Sequence, residues 1–259
     1  MAAAIELTGV SKAFGPTEAL AGIDLAVGAS EIVTVLGPSG SGKTTLLRLV
    51  GGLEEPTTGR VAVDGESPHE AREHKRIGFV PQSPALFPWR TVAQNARLLL
   101  DVNRRRGNTR GPTTTELLDH VGLTPFADAY PHELSGGMQQ RVALVRAVAL
   151  GAPLLLMDEP FAALDEITRT DMRHLLTRLC EPLATTVLFV THSIPESVFL
   201  SDRVVVLSSR PGRIVGIEPI ELPRPRHPEL EDTPAFFTVE TRLRSLLHSG
   251  SGSLGSSRS

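Results

Sequence analysis

Gly37-Pro38-Ser39-Gly40-Ser41-Gly42-Lys43-Thr44 is the stretch that decides the fold. It satisfies G-x-x-x-x-G-K-[ST] without a gap, and its flanks agree. Ile32-Val33-Thr34-Val35-Leu36 reads as a buried strand, and Thr44 to Val50 reads as a helix. Glycines in such a turn let backbone N–H groups converge on a phosphate, while the helix N-terminus adds partial positive charge. Lys43 is placed to reach the β- and γ-phosphates, and the Thr44 hydroxyl to ligate Mg2+. Gly37, Pro38, Ser39, Gly40, Ser41, Gly42, Lys43, Thr44 and Thr45 are therefore the candidate nucleotide-binding segment. The bland alternative, a Gly/Ser-rich turn, leaves both flanks unexplained.

Working outward, further runs rich in Val, Ile and Leu recur at Ile77 to Val80, Leu154 to Met157, Val187 to Val190 and Val204 to Leu207. They alternate with helical patterns, which predicts an α/β fold with a mostly parallel sheet. Ile5 to Val10 and Val61 to Gly65 read as antiparallel strands. From Trp89 to Gly151 the strands stop, and Thr91–Leu100, Thr115–Val121 and Ser135–Leu150 read as helices of an insertion. Leu154-Leu155-Leu156-Met157-Asp158-Glu159 is a buried strand ending in two acids. Strand ends of that kind deliver carboxylates to the ligand crevice of open sheets. Asp158 would hold the Mg2+ shell and Glu159 would orient or deprotonate the attacking water. A capping acid pair before Pro160 is the alternative.

Composition narrows the classes. The chain has 259 residues, 41% of them hydrophobic, and a net charge of −3. That balance argues against a dedicated nucleic-acid binder, which needs a strongly basic face. Cys180 is the only cysteine, so no intrachain disulfide forms, and a reducing compartment is expected. Neither a secretory signal nor a membrane-spanning run is visible, which predicts a soluble cytoplasmic chain. Between Asn103 and Thr114 lie Arg104, Arg105, Arg106 and Arg110; a solvated loop is favoured over a site for an acidic partner. After Gly216, four prolines predict an extended path, then Thr233-Pro234 starts a helix with Phe236, Val239, Leu243, Leu246 and Leu247 on one face. That helix is read as packing on the core rather than as a regulator. A Ser/Gly-rich tail from Ser249 is expected to be disordered.

Leu134-Ser135-Gly136-Gly137-Met138-Gln139-Gln140-Arg141 opens another helix, with N-cap chemistry at Ser135 and bare N–H groups at two glycines. It reads as a second phosphate-ready helix start, or more plainly as a capped helix. It is similar to the signature motif of ATP-binding-cassette (ABC) ATPases, and the resemblance extends over nearly the whole chain. Phe14 sits where that family stacks an aromatic on adenine. Gln82 resembles the Q-loop glutamine, Ala163-Leu164-Asp165 the D-loop, and His192 the switch histidine. The resemblance implies a RecA-like P-loop core (1–88 and 152–218) with an antiparallel β subdomain. It further implies a helical signature subdomain (89–151), a C-terminal extension (219–248) and a flexible tail (249–259). It implies ATP and Mg2+ as ligands: Glu159, His192, Gln82 and Lys43 catalytic, Ser135, Gly136, Gly137 and Asp165 on nucleotide, and Thr44, Gln82 and Asp158 on the metal. ATP would be sandwiched between the phosphate loop of one copy and the signature helix of a second.

Leu86-Phe87-Pro88-Trp89-Arg90-Thr91-Val92, Ser209-Arg210-Pro211-Gly212-Arg213-Ile214 and Met138 resemble one branch of that family, importers for nitrate, sulfonates, taurine and pyrimidine precursors. The implied partners are transmembrane permease subunits, a second copy of the chain and, indirectly, an extracytoplasmic solute-binding protein, with no nucleic acid. The implied location is the cytoplasmic face of the membrane. Trp89 is expected to line a groove for a short permease helix; plugging a seam between subdomains is the alternative. A soluble ABC ATPase of DNA repair or translation is the rival class, and a P-loop kinase or GTPase would leave Leu134–Arg141 unexplained.

Overall fold

The computed structural model describes residues 3–103, 112–180 and 184–251. The four linker arginines fall outside them. The chain divides into two compact units, Met1–His74 with Thr186–Ser259, and Lys75–Thr185.

In the first unit, β1 (Ala3–Phe14) pairs antiparallel with both β2 (Thr17–Gly28) and β4 (Thr58–Val63). Strand β2 is absent from the sequence expectations, although Ile23, Leu25 and Val27 alternate with exposed Gly22, Asp24 and Ala26, the period of a half-buried strand. A second sheet runs β7-β3-β8-β9. Strands β3 (Ile32–Leu36), β7 (Thr186–Thr191) and β8 (Arg203–Leu207) are parallel, and β9 (Ile214–Pro219) closes the edge antiparallel. Every residue of β3 and β7 is buried, which explains why these strands read as unbroken apolar runs. Around them lie α1 (Lys43–Val50), α2 (Pro68–Glu73), α7 (Ile194–Leu200) and α8 (Pro234–Ser251).

The proline-rich stretch before α8 is extended but anchored. Arg224 donates to the Leu200 carbonyl at 2.9 Å, and buried Arg226 to those of Val198 and Phe199 at 3.0 and 2.7 Å. Cations at the carbonyl end of α7 also suit its dipole. Phe236, Val239 and Leu243 are buried as the helical face requires. Helix α8 runs through Ser251 rather than ending in disorder at Ser249. The reason is packing: a Cβ on Gly250 would stand 2.8 Å from Val215 and 3.4 Å from the Ser208 backbone, so the last turn is seated on β9 and its neighbour.

The second unit pairs β5 (Ile77–Val80) parallel with β6 (Leu154–Asp158) and carries α3 (Val92–Val102), α4 (Thr114–His120), α5 (Gly136–Ala149) and α6 (Glu166–Cys180). Helices α3 and α4 start on reciprocal capping boxes, Thr91 with Gln94 and Thr113 with Glu116. No helix among the described residues is long and apolar enough to cross a membrane.

Candidate functional site

The phosphate loop is built in the first unit, between the end of β3 and α1. Its N-cap, Gly42, has φ 88°, a left-handed conformation without a side-chain cap. A Cβ there would lie 2.7 Å from Leu20 Cδ2 and 2.8 Å from the Ala19 carbonyl, so only glycine fits. Gly37 is closed similarly, by Ser41 Oγ at 2.7 Å and the Leu207 carbonyl at 3.2 Å. Lys43 is 5% exposed, and its ammonium donates to the Gly37 and Pro38 carbonyls at 2.9 and 3.1 Å. Ser41 is fully buried with its hydroxyl unpartnered. A buried, unmet hydroxyl beside a helix start and a desolvated ammonium makes a cradle that fits a phosphate group.

The loop is held by a segment singled out above only as a branch marker. Gly212 bonds β2 both ways, its N–H to the Ala19 carbonyl at 2.9 Å and its carbonyl from the Ala21 N–H at 3.0 Å. A Cβ on Gly212 would come within 2.1 Å of the Ser41 carbonyl, and Arg210 Nη2 lies 3.7 Å from where a Cβ on Gly40 would stand. Ser209–Ile214 therefore buttresses the phosphate loop.

His192 follows β7 directly and is exposed. Its neighbours are tightly set: Thr191 donates to buried Glu196 at 2.6 Å, and Ser193 N–H donates to Thr191 at 3.0 Å. A cavity of about 200 Å³ is lined by Gly37, Pro38 and His192 together with Arg244, Leu247 and His248 of α8. Those α8 residues were not anticipated at the site; the only sequence signal is that Arg244 and His248 are four apart on one helix face. Phe14 is 47% exposed at the end of β1, with Lys12 Nζ 4.8 Å above its ring.

In the second unit, Val80 pairs with Met157 in the β5–β6 ladder. Gln82 and the acids Asp158 and Glu159 therefore lie at the same, C-terminal end of the strand pair. Glu159 has φ 42°, unusual for a residue with a Cβ. Such an outlier persists where the surroundings dictate a side-chain direction. The oxygen donors Thr44, Gln82 and Asp158 are of the type Mg2+ takes, and a metal sharing its shell with water and phosphate needs few protein ligands.

Ser135 caps α5 from an extended φ/ψ, its hydroxyl accepting from Met138 N–H at 3.3 Å. Gly136 is exposed, with open space where a Cβ would be, whereas Gly137 is backed by Thr168 at 2.6 Å. Thr168 in turn donates to Asp165 from its backbone (3.0 Å) and hydroxyl (2.8 Å). Those bonds hold the Asp165 carboxyl below its usual range. Asp165 thus braces the start of α6 behind the signature glycines. Trp89 is 70% exposed, its ring 5.0 Å from that of Phe87.

With this geometry in view, likenesses to known proteins are informative. The family model described as ABC transporter matches residues 20–162. The nitrate import ATP-binding protein NrtD of Synechocystis sp. is 41% identical, covering 94% of this chain and 94% of its own. An aliphatic sulfonates import ATP-binding protein of Xanthomonas axonopodis pv. citri is also 41% identical, covering 95% and 96%. Among solved structures, a dimeric ATP-binding cassette in a post-hydrolysis state bound to ADP and Pi superposes with a TM-score of 0.71 at 33% identity, covering 84% of this chain and 99% of its own.

Proposed function

The chain belongs to the ABC transporter family as an ATP-binding, ATP-hydrolysing subunit, and on that premise we propose that it powers import of a small anion through a separate permease. The relatives named for nitrate and aliphatic sulfonate import motivate the solute class. The observation that carries the dimeric mechanism is the signature start. Ser135 and Gly136 are exposed, and Gly136 opens onto free space, so this capped helix end leaves room for a ligand brought to it. A second copy would bring that ligand on its own phosphate loop. Lys43, with Gly37 to Thr45, would hold the phosphates and Phe14 the adenine. Thr44, Gln82 and Asp158 would hold Mg2+, which would neutralise charge building on the phosphates. Glu159 would accept the proton of the attacking water and His192 would position the terminal phosphate. The segment 89–151 would form the helical subdomain of this machine and 219–248 its extension.

Glu159→Gln removes the base and keeps the phosphate contacts. It should cut kcat by about 10²–10⁴, leave ATP affinity intact, and trap an ATP-bound dimer on sedimentation. A folded variant that stays monomeric with ATP sinks the sandwich. We further propose that Phe87 and Trp89 dock the permease at the membrane's cytoplasmic face, because buried aromatic anchors dominate interface energies. Trp89→Ala should lose co-purification with the permease while the isolated subunit still hydrolyses ATP; retained assembly rules that role out.

A further inference from the structure

The loop that carries Gln82 is gripped by two helices. Near the far end of α5, Arg146 is only 8% exposed, and its guanidinium donates to consecutive loop carbonyls, Pro84 at 2.7 Å and Ala85 at 2.9 Å. Beyond them, fully buried Asn95 of α3 accepts the Phe87 N–H at 2.8 Å. Its amide donates to the carbonyls of Phe87, Arg90 and Thr91 at 3.1, 2.9 and 3.1 Å. Ala85 sits at φ 46°, a conformation that persists only when its neighbours impose it.

The two grips differ in consequence. Asn95 fixes the approach to its own helix, a local matter. Arg146 reaches across more than sixty residues of sequence from the same rigid helix whose other end is the signature start, ten residues earlier, roughly 15 Å along the axis. A planar fork on two carbonyls fixes both distance and angle, which a single lysine donor does not. Burial pulls the guanidinium below the usual arginine range, and in such desolvated surroundings hydrogen bonds are stiffer than in water.

We propose that Arg146 is a positioning residue that holds the Gln82 loop in register with the signature start, so that a ligand seated at either end of α5 is felt at the other. The proposal rests on the role given above to Gln82.

The test uses the full chain. Arg146→Met keeps the bulk and removes both donors, and Arg146→Lys keeps the charge without the fork. Arg146→Met should lower kcat at least tenfold, since misplacement by ~1 Å can cost about 10²-fold. It should raise the Mg2+ concentration needed for half-maximal hydrolysis and leave ATP affinity within about twofold of the parent. Arg146→Lys should recover part of kcat. The deciding measurement is the double variant: if Arg146 acts through Gln82, Gln82→Ala with Arg146→Met is no slower than Gln82→Ala alone. Additive losses, or parental kcat in folded Arg146→Met, overturn the proposal. Should Arg146→Met not fold, Ala85→Gly, which loosens the gripped carbonyl, must reproduce the kcat loss at an unchanged melting temperature; an unchanged kcat overturns it. A Gln82→Ala variant with parental kcat and Mg2+ dependence instead overturns the reading of Gln82, and this proposal with it.

Discussion

The phosphate loop and the signature start are both glycine-rich openings of helices, yet they are built in opposite ways. Helix α1 begins on a left-handed glycine with no side-chain cap, set against Ala19 and Leu20 of β2; Lys43 and Ser41 are buried, and Gly212 lies close to the Ser41 carbonyl. Helix α5 begins on an extended serine that caps its own helix, followed by a glycine facing open space. The first is a closed cradle in which the Lys43 ammonium is held by two loop carbonyls and the buried Ser41 hydroxyl has no partner. The second is a satisfied, exposed edge. A closed cradle binds by itself, whereas an exposed edge adds to a ligand already held elsewhere. That difference suits the nucleotide shared between two copies proposed above, with binding at one opening and completion of the site at the other.

The largest test of that contrast is Ser135→Arg. It should leave ATP affinity within about twofold and abolish hydrolysis, because a bulky side chain obstructs an edge that the bound nucleotide must approach. Lys43→Ala should do the reverse and weaken ATP binding itself by about 1.5–3 kcal/mol, the value of a charged hydrogen bond. Mixing the two variants regenerates one intact site per heterodimer if the openings serve one nucleotide from two copies. Equal losses of ATP affinity in both single variants would erase the distinction.

A smaller effect is expected from Gly212→Ala, which touches no nucleotide. Its methyl must push the Ser41 carbonyl, 2.1 Å from the ideal Cβ position, and overpacking of this kind costs about 1–3 kcal/mol. ATP affinity should fall several-fold while the signature side is unaffected; unchanged affinity means that Ser209–Ile214 does not support the cradle.

The smallest effect concerns pH. Hydrogen bonds from Thr168 hold the Asp165 carboxyl below its ordinary pKa, and bonds from Thr113 and Ser67 do so for Glu116 and Glu70. Folded values below unfolded ones mean that these groups stabilise above the unfolded pKa and lose that contribution as pH falls through the folded one. All three are exposed, so the slope is shallow. Asp165→Asn should flatten the acid limb of a melting-temperature profile between about pH 5 and 3, and Glu→Gln at the two capping boxes should do the same. An identical acid limb in Asp165→Asn removes the brace behind Gly137.

Local chemistry was legible from the residues alone. The runs at Ile32–Leu36 and Ile77–Val80 and the boundaries near Thr91, Ser135 and Pro234 are found where periodicity and capping put them, since the atoms involved are within a few residues of one another. Strand β2 escaped because the exposed positions of its alternation include Gly22 and Asp24, residue types that strands disfavour. What only the tertiary structure decided are contacts between distant segments: Gly212 against Ser41, the α8 face beside His192, and the Arg146 fork on Pro84 and Ala85. Their acceptors are mostly backbone carbonyls, which every residue carries alike. A sequence therefore holds the cation or the glycine but no mark of which carbonyl it will meet.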